Sequence, residues 1–319
     1  MLESKITKFA DLIKKSKRIL ILLHEDPDGD TIASSLALSI TLRATGRKVI
    51  CASKDEIPKV FEFLPDVDLI QQDFLLGDFD FVITVDCGDM RRTGFAKRLA
   101  EMSRSKAIIN IDHHTKNDLH KIAKINIVDE RAVASSQIIW RIINYLKLEL
   151  NSKIATCILA GIYYDTGGFQ HINVTPESLS IASKCISLGG RIRLISQNIS
   201  SSKTPQSLML WGIALKNMRV LKNGIIYSVV TKEDINRCNS KSEDISGLVN
   251  LLNTVPSSKI AMLLLEVEDG KIRGSLRTDS DKIDVARFAR IFGGGGHKKA
   301  SGFEVECRLI KNGSSWQLV

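Results

Sequence analysis

Arg18-Ile19-Leu20-Ile21-Leu22-Leu23, followed at once by His24-Glu25-Asp26-Pro27-Asp28-Gly29-Asp30, is the stretch on which the fold turns. A short apolar run closed by proline and glycine reads as a buried strand. The loop after it brings one imidazole and up to three aspartate carboxylates to the strand end, a donor mixture suited to a hard or borderline divalent cation. Helical periodicity then runs from about residue 31 to 44 and closes at Gly46.

The same alternation continues downstream. Strands are expected at residues 48–52, 81–85, 107–111 and 125–128, and helices at 132–146, at 152–164 running into Asp165-Thr166-Gly167-Gly168, and at 176–188 behind Pro176. Strands alternating with helices imply βαβ units, a parallel sheet and an α/β fold class. Three of the strands end in acid-rich segments: residues 24–30, Asp86-Cys87-Gly88-Asp89 and Asp112-His113-His114. In open α/β sheets ligands bind beyond the carboxyl ends of the strands, so these segments are expected to converge.

Each acid has an ordinary reading beside the metal one. Asp28 and Asp30 are two residues apart, so an extended backbone would aim both the same way, and Pro27 is expected to hold Asp26 extended. Asp30, just before a helix, reads equally well as an N-cap. Asp86 emerges from the apolar run Phe81-Val82-Ile83-Thr84-Val85. A carboxylate there is costly unless paired or bound to a cation. Asp89 reads as a turn residue, His120 as a loop residue, His171 as a surface or core residue, and Tyr163 and Tyr164 as core.

The second half differs in texture. Strands are expected at 225–230 and 260–267, with a turn at Asp269-Gly270 and a return strand at 271–277, which makes the last pair a hairpin. A short helix near 284–292 leads into a loop Gly293-Gly294-Gly295-Gly296-His297. This half reads as a smaller mixed α+β domain. The expected layout is residues 1–190, a serine-rich connection at 191–205, and residues 206–319.

Composition sets outer bounds. The chain has 319 residues, 44% of them hydrophobic and 25% charged, with a formal net charge of +9. That is an ordinary globular composition of about two domains, with a bias toward polyanionic partners. Six scattered cysteines without a C-x-x-C pair argue against a disulfide framework or zinc ribbon and for a cytoplasmic location. No apolar run approaches the roughly 20 residues of a membrane span.

The ordered series His24-x-x-x-Asp28-x-Asp30, Asp86, Asp112-His113-His114 and Asp165 resembles the four motifs of the DHH phosphoesterase superfamily. Gly293-Gly294-Gly295-Gly296-His297-x-x-Ala300-Ser301-Gly302 resembles its DHHA1 domain. Within the superfamily the two-domain layout most resembles the NrnA-like group of bifunctional oligoribonucleases and pAp phosphatases. The resemblance implies two divalent cations, typically Mn2+, with Mg2+ or Co2+ as substitutes. It implies that His24, Asp28 and Asp86 hold one, and that Asp30, His113, Asp165 and again Asp86, as a bridge, hold the other. His114 would face the substrate as phosphate ligand or acid, with Asp112 orienting the histidine pair. Two metals about 3.5 to 4 Å apart share a water, lower its pKa and stabilise both attacking and leaving oxygens.

On the substrate side, a glycine run lets backbone N–H groups approach an anion. His297, Lys298 and Lys299 follow it directly. The resemblance adds Ser275 and Arg277 as phosphate contacts beside Gly294, Gly295, Gly296, His297 and Ser301, with the active site between the domains. An arginine fork suits phosphate, although a solvated strand residue is the plain alternative. The expected substrates are short RNA or DNA oligonucleotides, cut to 5′-mononucleotides from the 3′ end, and pAp. The competing readings are a phosphodiesterase for pApA, pGpG or c-di-AMP, and an inactive nucleotide- or RNA-binding protein. Against the last stands the completeness of the ligand set. Monomer and homodimer both remain open, and residues 307–319 carry no interpretable pattern.

Overall fold

A computed structural model describes residues 2–318 apart from 76, 78, 115–117, 200–202, 257, 269, 308, 313 and 314. The chain forms two compact units, Met1–Ser202 and Lys203–Val319.

The first unit is built on strands β1 (Arg18–Leu22), β2 (Lys48–Ala52), β3 (Ile70–Gln71), β4 (Phe81–Val85), β5 (Ala107–Asp112) and β6 (Ile125–Val128). They form one parallel sheet in the order β3-β2-β1-β4-β5-β6. Alternation along each strand serves two cores. Ile19 and Ile21 join one hydrophobic cluster while Leu20 and Leu22 join the other. The first cluster is covered by helices α1 (Leu2–Lys15) and α2 (Gly29–Ala44), joined by residues 135–145 and 152–165; the second by α3 (Ala96–Met102) and α4 (Leu119–Ile122). With both faces covered, the strands read as continuous apolar runs. The chain order doubles back between β1 and β4, and at such a switch point the loops leaving neighbouring strands part and open a crevice.

Helices α5 (Ser135–Tyr145), α6 (Ser152–Asp165), α7 (Pro176–Ser187) and α8 (Ile192–Ile199) complete this unit. Helix α5 begins at Ser135, three residues later than the apolar pattern implies, because residues 132–134 are buried loop whose side chains still feed the core. The segment expected as a connection is helical over Ile192–Ile199, and its Ile195 is fully buried.

The second unit contains α9 (Pro205–Asn217), α10 (Lys232–Arg237), α11 (Leu248–Asn253) and α12 (Val285–Ile291), with strands β7 (Arg219–Val220), β8 (Ile225–Val230), β9 (Ile260–Glu268), β10 (Lys271–Arg277), β11 (Gly295–His297), β12 (Ala300–Glu306), β13 (Leu309–Asn312) and β14 (Ser315–Leu318). Its main sheet runs β11-β12-β10-β9-β8-β7, with β8 and β9 parallel and the other pairs antiparallel. This is the mixed α+β arrangement expected, and β9 and β10 pair as a hairpin. Of its turn, Gly270 has φ 79° while Asp269 lies outside the described residues. The glycine segment is not wholly a loop. Gly295–His297 is an edge strand paired to β12. The uninterpreted tail pairs as a β13–β14 hairpin. Among the described residues no helix is long and apolar enough to cross a membrane.

Helix α1, which no residue pattern above singled out, is anchored by Phe9, fully buried and edge-on to Phe81 at 6.2 Å between ring centroids. Phe9→Ala removes that contact and leaves a cavity, so it should lower stability by about 4 kcal/mol, read as a downward shift of the urea midpoint.

Candidate metal centre

The three acid-rich strand ends do converge. His24 follows β1, Asp86 follows β4, and Asp112, the last residue of β5, precedes His113 and His114; Asp165 arrives at the end of α6. Ligand atoms of His24, Asp28 and Asp86 all lie within 4.8 Å of one another, as do those of Asp30, His113 and Asp165. Asp86 sits between the two sets. Its Oδ2 is 4.0 Å from His24 Nε2 and its Oδ1 is 3.4 Å from His113 Nε2. His113 Nε2 is also 3.4 Å from Asp165 Oδ2.

The two loop aspartates exchange the roles the sequence offers them. Asp28 caps α2, its Oδ1 accepting from the N–H of Asp30 and Thr31 at 3.0 and 3.1 Å. Asp30 is not the cap. It lies in the first helical turn, fully buried, and its carboxylate accepts from the N–H groups of Ser135 (2.5 Å) and Ser136 (3.1 Å) at the start of α5. The two carboxylates therefore approach from a cap and a helix, not from one extended run. Asp26 also departs from expectation, with φ 48°; its N–H donates to Asp55 Oδ2 at 2.8 Å, and aspartate tolerates the left-handed region.

Asp86 has φ 60°, a conformation uncommon for a residue with a side chain, and it accepts from Ser135 Oγ at 2.9 Å. Asp112 serves His114. Its Oδ1 lies 2.8 Å from His114 Nδ1 and accepts the His114 backbone N–H at 2.9 Å, while Oδ2 accepts from Gly88 N–H. His113 is steered separately, by Nδ1 facing the carbonyl of Ala132 at 3.3 Å. Both arrangements leave Nε2 as the outward nitrogen. His114 also falls within ligating reach of Asp86 and His113, but its Nδ1 is occupied by Asp112.

Electrostatically the site is short of positive charge. Burial first, then the neighbouring Asp30, Asp28, Asp165 and Asp112, push the Asp86 carboxyl well above the usual range. Burial, with Asp30 and Asp28, does the same to Asp165, and burial also raises Asp30. Burial works against Asp28 and Asp112 too, but the neighbouring His24 with the N–H groups of Thr31 and Asp30 at Asp28, and His114 with the N–H of Gly88 at Asp112, together outweigh it and hold both below the usual value. Burial keeps His113 more readily neutral, while the Asp112 hydrogen bond makes His114 hold its proton more tightly than usual.

Divalent cations fit this set. His24 Nε2 is buried without a hydrogen-bond partner, 3.6 Å from the nearest Asp28 oxygen, which is too far to bond directly. An unpaired buried nitrogen facing crowded carboxylates is resolved by an ion that accepts donors of both kinds.

Sequence reasoning missed Ser135, Ser136 and Gly161. A Cβ at Gly161 would stand 2.0 Å from Ser136 Oγ and 2.4 Å from Asp30 Oδ1, so only glycine lets α6 pass this close. A lone glycine inside an apolar helical pattern, and serine at a helix start, are the signals that could have found them. Of the residues discounted, Asp89 accepts from the Arg92 N–H in a turn, His171 is exposed and Tyr163 is core.

The second unit holds the other candidates. Across β10, β12 and β11 the register aligns Arg277, Ala300 and His297, and next to them Ser275, Gly302 and Gly295. Directly paired residues and those two apart share a face, so Ser275, Arg277 and His297 lie together with small residues between them. Arg277 Nε donates to Asn250 Oδ1 at 2.9 Å. Ser301 pairs with the buried Leu276 on the opposite face, is itself buried, and its Oγ has no hydrogen-bond partner. Gly294 and Gly296 are small for packing: a Cβ at either would meet backbone atoms of β12 within 2.7 Å, whereas Gly295 faces open space.

Residues 18–162 match the DHH family, N-terminal domain, and residues 222–311 match the DHHA1 domain. A bifunctional oligoribonuclease and PAP phosphatase NrnA from Thermus thermophilus is 28% identical over 89% of this chain and 83% of its own length. The protein of that name from Mycoplasma genitalium is 27% identical over 95% and 93%. The crystal structure of an exopolyphosphatase-related protein from Bacteroides fragilis superposes with a TM-score of 0.86 at 27% identity, covering 94% of this chain and 90% of that one.

Without cations, a raised carboxyl pKa means the folded protein binds its proton more tightly than the unfolded chain. That contribution to stability is present below the ordinary carboxylate value and is lost as pH rises through the folded-state value. In chelator, Asp86→Asn should therefore melt higher than the parent by a margin that widens from pH 5 to pH 8. Adding Mn2+ should reverse the order, because only the parent retains a full site for stabilisation by binding. Thermal melts at the two pH values check both signs.

Proposed function

We propose that this chain, which belongs to the DHH phosphoesterase family and carries a DHHA1 domain behind its DHH domain, hydrolyses short oligonucleotides to 5′-mononucleotides from the 3′ end and also converts pAp to AMP. The observation that carries the reading is the pair of donor sets, His24, Asp28 and Asp86 beside Asp30, His113 and Asp165, with Asp86 Oδ1 3.4 Å from His113 Nε2, since phosphoryl transfer is the chemistry a two-cation centre serves best. Relatives named for both activities, aligned over most of the chain, support the substrate class.

In this reading His24, Asp28 and Asp86 hold one cation and Asp30, His113, Asp165 and Asp86 the other. Manganese is the first choice for mixed imidazole and carboxylate donors, with Mg2+ or Co2+ as substitutes. Bound cations would supply water activation at neutral pH and neutralise charge on the phosphoryl oxygens.

The remaining work falls to side chains and backbone. Asp112 accepts the Nδ1 proton of His114 and favours the imidazolium, whose Nε2–H then faces outward, placed to bind a phosphate oxygen or protonate a leaving oxygen. Ser135 and Ser136 hold Asp86 and Asp30 in position through N–H and O–H donors. Arg277, with Ser275 and His297 on the same sheet face, is suited to gripping a substrate phosphate, and burial lowers the Arg277 pKa without removing its charge. Gly294, Gly295 and Gly296 shape the strand beside them. Ser301, on the other face, is retained as a supporting residue only. Six cysteines without a disulfide fit a reducing, cytoplasmic setting.

A length series of 5′-labelled RNAs in Mn2+, with pAp and c-di-AMP as competitors, tests this. RNAs of about two to five residues should be shortened from the 3′ end fastest and pAp should compete, whereas preference for c-di-AMP or dinucleotides alone would favour the dinucleotide phosphodiesterase reading. Asp86→Ala should lose turnover by at least about 1,000-fold while keeping its circular dichroism spectrum.

A further inference from the structure

We propose that a basic trough between α1 and β6 holds backbone phosphates of an oligonucleotide beyond the nucleotides at the metal centre; this rests on the oligonucleotide reading above. The trough is a cavity of about 620 Å³ bordered by Lys5 and Lys8 of α1, by Lys124 just before β6 and Asn126 within it, and by Arg131 in the loop that follows.

Its charge comes from three separate elements. Lys5 and Lys8 are three residues apart on α1 and so share a helix face. Lys124, just before β6, and Asn126 within it are two residues apart and flank the buried Ile125. Arg131 is 92% exposed. Two acids also border the cavity, Asp129 and Glu130. Asp129 does not oppose an anion, because its carboxylate is taken up by Arg141 Nη1 at 2.6 Å and Arg131 Nε at 3.3 Å. With Arg131 set against Asp129, the three lysines Lys5, Lys8 and Lys124 border the cavity against one uncompensated acid, Glu130.

The trough adjoins the catalytic loops. Asp129 N–H donates to the carbonyl of Asp112, Ala132 N–H donates to the carbonyl of Asp129, and the Ala132 carbonyl faces His113 Nδ1. The loop that closes the trough is thus the loop that orients a candidate metal ligand. Strand β6 is also the edge of its sheet, and lysines on an edge deter association with other chains. That explains Lys124. It does not explain two helix lysines and an arginine facing the same concavity.

Neutralising a single-stranded phosphate contributes about 0.7 to the slope of log affinity against log salt. Lys8→Gln with Lys124→Gln should remove roughly two such contacts. Between 50 and 200 mM salt the parent should then lose roughly sevenfold more affinity than the double variant for a fluorescein-labelled five-residue RNA, read by anisotropy in EDTA. Both proteins should hydrolyse pAp in Mn2+ with the same kcat and KM, since the trough is assigned to phosphates beyond the nucleotides at the metal centre. Equal salt dependence in the two proteins overturns the proposal, as does a loss on pAp that parallels the loss on RNA. Should neither RNA nor pAp be turned over, the phosphohydrolase reading fails, and the anisotropy comparison still decides the trough.

Discussion

Burying the Asp86 carboxylate at the mouth of a parallel sheet is the constraint around which the first unit is arranged. Asp86 is 2% exposed, Asp30 fully buried, and Asp28, Asp112 and Asp165 crowd the same end. Charges in so dry a place need donors. The fold supplies them from the start of α5, where Ser135 and Ser136 present N–H groups and a hydroxyl, and from Gly88 beneath Asp112. Those donors meet Asp30, one oxygen of Asp86, and Asp112. They leave His24 Nε2 unpartnered and Asp86 still surrounded by like charge. Divalent cations in the two donor sets would remove both deficits at once.

The location follows from topology. Strands β1 and β4 are neighbours whose following segments leave in different directions, so the crevice opens where residues 24–30 and Asp86 emerge. Helices α2, α5 and α6 then close over it. The closeness of α6 depends on Gly161, and a second glycine, Gly29, accommodates the Tyr164 ring, which a Cβ there would meet at 2.4 Å. Small residues thus set how near the carboxylates can come, and the acids and imidazoles supply the chemistry.

Much of this was legible in the chain. The apolar runs marked β1, β2, β4, β5 and β6 because strands buried on both faces leave a strong signal, and the acid-rich segments that end three of them marked the site. What the local pattern hid was conformation that tertiary contacts decide. Asp28 rather than Asp30 is the cap because Asp30 has better donors on α5, 105 residues away in sequence. Asp26 is left-handed because Asp55 holds its N–H. Gly295–His297 is strand because β12 offers a partner, and Ser301 turns from the Arg277 face by strand alternation. Helix α1 was legible only as an amphipathic, lysine-rich opening, although Ile6, Phe9 and Ile13 fall at the helical spacing that buries them.

The centre of the account is that one chain holds two divalent cations with Asp86 common to both. Isothermal titration of the metal-free protein with Mn2+ tests it most directly. Two ions per chain are expected for the parent, with Asp86→Asn weakening both binding events together. Binding of a single ion, or two ions held unchanged by Asp86→Asn, would contradict it.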